Sequence, residues 1–158
     1  MSAPDVYRAS DWLRTIRRYV LASGFGHLVW EIAQLPLYTI WRTGTTRDIA
    51  TAVVHCTAGD LLIALVTLSL ALMAIGSRHW PAQQFAAVLA AVVILSVGYT
   101  VYSEYVNTIV RPSWAYSSLM PTLPWIGTGL SPLLQWLIVP CVAFVWSGRT
   151  RPHALAGL

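Results

Sequence analysis

HLVWEIAQLP, residues 27–36, lies inside the first long apolar segment of the chain and places His27, Glu31 and Gln34 within it. Charge within hydrocarbon is costly, so ionisable residues in a membrane span point to a functional site. That reading requires a membrane protein, and composition supplies one. Of 158 residues, 56% are hydrophobic and only 10% charged, against about 25% charged in ordinary soluble domains. Mean hydropathy is +0.61. The length fits one domain. The net charge of +4 comes from arginine alone, because the chain has no lysine. No dense basic run or accessible basic face exists for nucleic acid, so that class of partner is excluded.

Working outward, four apolar segments cover residues 19–41, 51–75, 83–102 and 128–146. Each is close to the roughly 20 residues that a spanning helix needs. Backbone groups in hydrocarbon have no water to bond, so each segment must be helical. The expected fold is all-α, a single integral membrane domain of four transmembrane helices over residues 1–158. Residues 1–18 put Val6, Ala9, Leu13 and Ile16 at helical spacing among Arg8, Arg14, Arg17 and Arg18. This pattern suits an interfacial amphipathic helix on the cytoplasmic side. It is too polar, and the following run too long, for a cleavable signal. With both termini inside, seven arginines lie on the inner side and three (Arg42, Arg47, Arg111) on the outer, which predicts an N-in, C-in topology. Trp41, Trp80, Trp125 and Trp146 stand near segment ends, where an aromatic belt is expected.

The connection at residues 104–127 is long, and connections of that length are often lids or binding elements. Pro112, Pro121 and Pro124 forbid a continuous helix there. Ile109, Val110, Trp114, Leu119, Met120 and Leu123 are too apolar for a solvated loop. An outer interfacial or re-entrant loop over the mouth of the bundle is expected.

Depth links the polar residues to one another. At about 1.5 Å per residue, His27 lies roughly 13 Å and Glu31 roughly 20 Å from an inner boundary at Arg18. His55 and Asp60 lie roughly 6 Å and 13 Å below the outer surface on the second segment. In a hydrocarbon core of about 30 Å, His27 is then level with Asp60, and Glu31 with His55. His27 and Glu31 share one helical face. His55 and Asp60 are about 140° apart, so they can flank one cavity without both pointing at the first segment. Glu104 joins from the outer end of the third segment, and the fourth offers only Gln135. Glu31, Asp60 and Glu104 are therefore the candidate catalytic residues. His27, Glu31, His55 and Asp60 are the candidate ligands of a divalent metal such as zinc, since imidazole and carboxylate suit it. A haem between His27 and His55 fails on their difference in depth. Cys56 and Cys141 match no metal or redox spacing and read as free thiols. Ser23, Ser103, Gly24 and Gly26 read as close-packing positions.

Three roles fit this set. Acid–histidine pairs can lock helix packing, a metal-assisted hydrolase or transferase can act on a lipid-like substrate, or the groups can relay protons or a small solute. An accessory subunit of a larger membrane complex, or a homo-oligomer, fits the same residues. The expected partners are the bilayer and a lipid or small-molecule ligand.

WEIAQLP (residues 30–36), the TTRD that ends at Asp48 and the HCTAGD that ends at Asp60 together resemble small VanZ-like bacterial membrane proteins. The matching positions are Trp30, Glu31, Asp48 and Asp60, within about residues 27–62. His55 and Cys56 depart from the asparagine usual there. The resemblance implies a multi-pass bacterial inner-membrane protein with a polar site, without specifying its reaction.

Overall fold

The computed structural model describes residues 3–148, with side chains from Trp12 onward. Helix α1 runs without a break through Ala3–Gln34. A single 3₁₀ turn (Leu35–Leu37) and the short α2 (Ile40–Thr43) lead to α3, Thr46–Ile75. Helix α4 (Phe85–Tyr105) passes into a π turn at Val106–Val110, and α5 covers Leu130–Ser147. Among the described residues there is no strand; Tyr38 with Tyr116 and Thr122 with Gly129 form isolated bridges.

Three helical stretches are long and apolar enough to cross a membrane: Thr46–Ile75, Phe85–Val110 and Leu130–Ser147. The expected N-terminal segment and first span are one continuous helix. That helix stops at Gln34 instead of reaching residue 41, because Pro36 disfavours helical geometry at the residue before it. Helix α3 begins at Thr46, earlier than residue 51, because a capping box starts it. Thr45 Oγ1 accepts from the Asp48 amide at 3.2 Å while Asp48 Oδ2 accepts from the Thr45 amide at 2.9 Å. The turn after α3 leads into α4 at Phe85, and α5 starts at Leu130.

Helix α1 packs on α3 and α5, and α4 packs on the same two helices, so the four close into a ring. One end is filled with aromatic rings. Trp12 meets Trp80 edge-on at 5.1 Å, and Phe144 meets Tyr19 at 4.9 Å and Phe85 at 5.3 Å. Trp80, expected in the aromatic belt, is a buried plug instead at 2% exposure, because Trp12 and the turn after α3 enclose it. Trp41, Trp125 and Trp146 are exposed. Arg149 and Arg151, counted for topology, lie outside the described residues. Buried Ala64, Ala71 and Ala143 lie toward the same end and let the helices approach.

The other end is held by the long connection. Ala115 O accepts from the Thr39 amide at 3.0 Å, and Leu37 O from the Ser117 amide at 2.8 Å. Ser117 Oγ donates to Pro36 O at 2.9 Å. These bonds satisfy backbone groups freed where α1 ends. They also fasten residues 113–117 over the bundle, in keeping with a loop that folds back across the mouth.

Candidate functional site

The side chain at the centre is Gln135, the one polar group in the middle of α5, at 2% exposure. Its amide nitrogen lies 2.9 Å from Asp60 Oδ2, 3.1 Å from Glu31 Oε1 and 3.0 Å from His27 Nδ1. An amide NH₂ has two hydrogens, so three acceptors compete for them. One helix thus ties α1 to α3 across the middle of the ring. Glu31 and Asp60 thus accept from the same amide, which brings the two carboxyls to one point.

Further bonds fix Glu31. Gln34, three residues on, donates to Glu31 Oε1 at 2.8 Å and accepts from Ser131 Oγ at 2.8 Å. Ser131 in turn accepts from Trp30 Nε1 at 3.1 Å. Ser131 and Gln135 are one turn apart on α5 and face His27, Glu31 and Gln34 on α1, so the two helices are matched turn by turn.

A cavity of about 730 Å³ opens above this network, walled by α1, α3 and α4 and by residues 113–115 of the long connection. Glu31, Asp60, Glu104 and His55 all line it, so the structure gathers four of the five expected site residues around one space. Tyr38, Tyr99, Trp114 and Trp136 add aromatic surface, and no arginine is among the lining residues. Glu104 is buried near the end of α4 and is held there by a bond from the Tyr116 hydroxyl. That hydroxyl also accepts from the Gly129 amide at 2.9 Å. Burial, then the bond to Glu104 and its charge, push the Tyr116 phenol well above the usual tyrosine range. Tyr116 therefore stays a neutral donor to Glu104. Cys56 lines the cavity, and both cysteines are free thiols.

His27 is the fifth expected residue, and it does not face the cavity. It is fully buried beneath Gln135, 3.6 Å from Asp60 Oδ2, with its ring 4.5 Å from that of Trp136. The depth match between His27 and Asp60 is thus a contact. Glu31 and His55, also matched in depth, only share the cavity wall. The expected metal set is not assembled: among the described residues, no group of three His, Cys, Asp or Glu side chains could hold a metal ion. His55 lines the cavity from an exposed position on α3. The Gln135 amide occupies the point where His27, Glu31 and Asp60 converge and supplies there the donors that a cation would otherwise replace.

Other residues have structural roles. Asp48 caps α3 through Thr45, with the Thr45 hydroxyl donating at 2.7 Å, and is exposed, away from the cavity. Gly26 is a close-approach position, since a Cβ there would lie 2.8 Å from Val139 Cγ1, whereas Gly24 makes only ordinary contact with Leu61. Ser103 lines the cavity and accepts from Asn107 at 3.3 Å. Gln135, Ser131 and Tyr116 are the functional side chains that ionisable-residue reasoning passed over. A lone glutamine amid 18 residues of apolar helix was the available signal for the first.

No protein-family model, no curated protein and no solved structure matches this chain.

Proposed function

We propose that this is a multi-pass protein of the bacterial inner membrane with four spans, both termini cytoplasmic and its cavity open to the outer side. The cavity receives a small neutral or cationic amphiphile, and the Glu31–Asp60 carboxyl pair exchanges a proton with it as general acid and base. One observation carries the reading: a single space of about 730 Å³ collects Glu31, Asp60 and Glu104 with no arginine among its lining residues. Anionic head groups are normally met by arginine, lysine or helix N-termini, so an acid-lined space suits the opposite charge. Aromatic faces such as Tyr38, Tyr99 and Trp114 add cation–π surface.

The fourth span is supported by α1 itself. Leu21, Phe25, Val29 and Ile32 form an exposed stripe, while Tyr19, Ser23, His27 and Gln34 on the opposite face are buried. Apolar outside and polar inside is the arrangement expected of a helix facing lipid around a polar interior. Exposed Leu119, Trp125 and Ile126 on the long connection suit the outer interface. The resemblance to small VanZ-like proteins through Trp30, Glu31, Asp48 and Asp60 supports the same setting.

A test uses a carbodiimide, which modifies protonated carboxyls, on purified protein in lipid nanodiscs, with the modified residue located by mass spectrometry. Glu31 or Asp60 should react in the wild type. A long-chain amine should protect them, and an anionic phospholipid should not. An unreactive pair, or equal protection by anionic lipid, would sink the reading.

The bonds of Gln135 favour a second reading, in which the same groups only lock the helices of an accessory subunit. Glu31→Gln and Asp60→Asn keep the shape and the hydrogen bonding. The packing reading expects these variants to differ from wild type in thermal stability alone. A binding site expects them to fold and lose the amine's protection of whichever carboxyl of the pair remains.

A further inference from the structure

Seven buried side-chain polar atoms have no hydrogen-bond partner among the described residues, and four of them stand in one file on α1. They are Thr15 Oγ1, Tyr19 Oη, Ser23 Oγ and His27 Nε2. Each follows the last by four residues, so all lie on one helical face. None of the four residues is more than 1% exposed. The Tyr19 and Ser23 side chains are neighbours, yet neither hydroxyl makes a hydrogen bond of normal geometry.

A buried polar group left unpaired costs about 1–3 kcal/mol, and apolar residues of similar size would avoid that cost. Unpaired groups scattered over the molecule would need separate explanations. A row of four needs a common one. Hydroxyls both donate and accept, and an imidazole can take a proton at one nitrogen while it releases one from the other. Successive groups rise by about 6 Å along the axis, and one bridging water can join those whose polar atoms do not meet directly. Buried waters normally serve otherwise unsatisfied groups of this kind.

We propose that this file is a proton path joining the inner face of the membrane to the carboxyl pair below the cavity. The inference rests on the proposed reading of Glu31 and Asp60 as a proton-exchanging pair. Its entrance on the cavity side is His27 Nδ1, 3.6 Å from Asp60 Oδ2. The charged groups facing His27 are Asp60 directly and Glu31 through Gln135, while Trp136 covers the ring. With Nδ1 accepting from the Gln135 amide, the neutral ring carries its proton on Nε2. A protonated Asp60 passes its proton to Nδ1 and becomes a carboxylate, and the ring releases the Nε2 proton toward Ser23. The ring then holds one proton, on Nδ1, and rotation of the imidazole between transfers, not a proton crossing back along the file, readies it for the next. One proton has moved inward for each proton Asp60 received from the cavity.

The test is proton uptake into proteoliposomes under an imposed pH difference, comparing wild type with Ser23→Ala and Tyr19→Phe. Each substitution removes one hydroxyl without adding volume, and the loss of an unpaired buried group should leave melting temperature unchanged or raised. Uptake should fall by about tenfold or more in each variant. Wild-type uptake no faster than that of empty liposomes, or equal uptake in all three proteins, overturns the path. Carbodiimide labelling of the same preparations separates the two proposals. Labelled Glu31 or Asp60 with no effect of Ser23→Ala removes the file and leaves the cavity, whereas unlabelled carboxyls remove the pair on which both depend.

Discussion

At the scale of single residues, the network depends on a side chain that cannot ionise. Gln135 contacts three acceptors, and among the described residues no other donor bonds both Asp60 and His27. Gln135→Leu keeps volume and removes the donors, so three buried acceptors lose a shared partner. A loss of about 1–3 kcal/mol is expected, read as a lower melting temperature in detergent. Gln135→Glu should be worse, because it adds a third carboxyl to Glu31 and Asp60. Reasoning from ionisable groups brought His27 to Asp60 correctly, since depth along antiparallel helices is simple arithmetic. It ranked Gln135 low because a glutamine carries no charge, and it could not place His55, whose direction depends on how far α3 is rotated. Tyr116 offers a second residue-scale prediction. Its raised pKa means that the bond to Glu104 contributes in full below the ordinary tyrosine value of about 10 and is lost as pH rises through the higher folded value. Stability should therefore decline in alkali more steeply in wild type than in Tyr116→Phe, and chemical unfolding at a series of pH values measures the difference.

At the scale of elements, the contact between α1 and α5 sets how closely the network is held. Gly26 faces Val139, where a Cβ would sit 2.8 Å from Cγ1. Gly26→Ala must push the two helices apart and stretch the bonds of His27, Glu31 and Gln34 to α5. A cost of about 1–3 kcal/mol is expected, and Gly26→Ala with Val139→Ala should recover much of it in a double-mutant cycle. Gly59 and Gly98 have nothing within 4 Å of an added Cβ. Alanine at either should be neutral or stabilising by up to about 1 kcal/mol. Helix limits were only partly legible from hydropathy. The run to residue 41 stays apolar past Gln34, but Pro36 breaks the helix and leaves carbonyls that the 113–117 segment then satisfies. The capping box at Thr45 was legible in its letters, since Thr followed three residues later by an acid is a start signal. Residues 104–127 could be recognised as too apolar for water, whereas the pairing of Tyr116 with Glu104 brings together positions joined through a turn that no local pattern specifies.

At the scale of the molecule, the two ends differ in kind. Aromatic rings fill one end, and the acid-lined cavity opens at the other, so orientation in the membrane decides which compartment the carboxyl pair meets. The proposed topology, which rests on the arginine bias, turns the cavity to the outside. Two exposed positions test this: His79 in the turn between α3 and α4, and Ser118 in the long connection. Single cysteines can be placed there in a background of Cys56→Ala and Cys141→Ala, since both native thiols are free. A membrane-impermeant maleimide should label Ser118→Cys in intact cells and His79→Cys only after lysis. The reverse pattern would turn the cavity to the cytoplasm and reverse the direction of any proton movement along α1. Labelling of both from outside would mean that α3 and α4 do not form a hairpin through the bilayer. Because α3 and α4 lie antiparallel as neighbours in the ring with apolar residues such as Leu62, Val66 and Ile94 exposed on their outer faces, one label on each side is the expected outcome. The same experiment fixes α1, since a helix packed against both α3 and α5 and tied to Asp60 through Gln135 must lie at the same depth as they do.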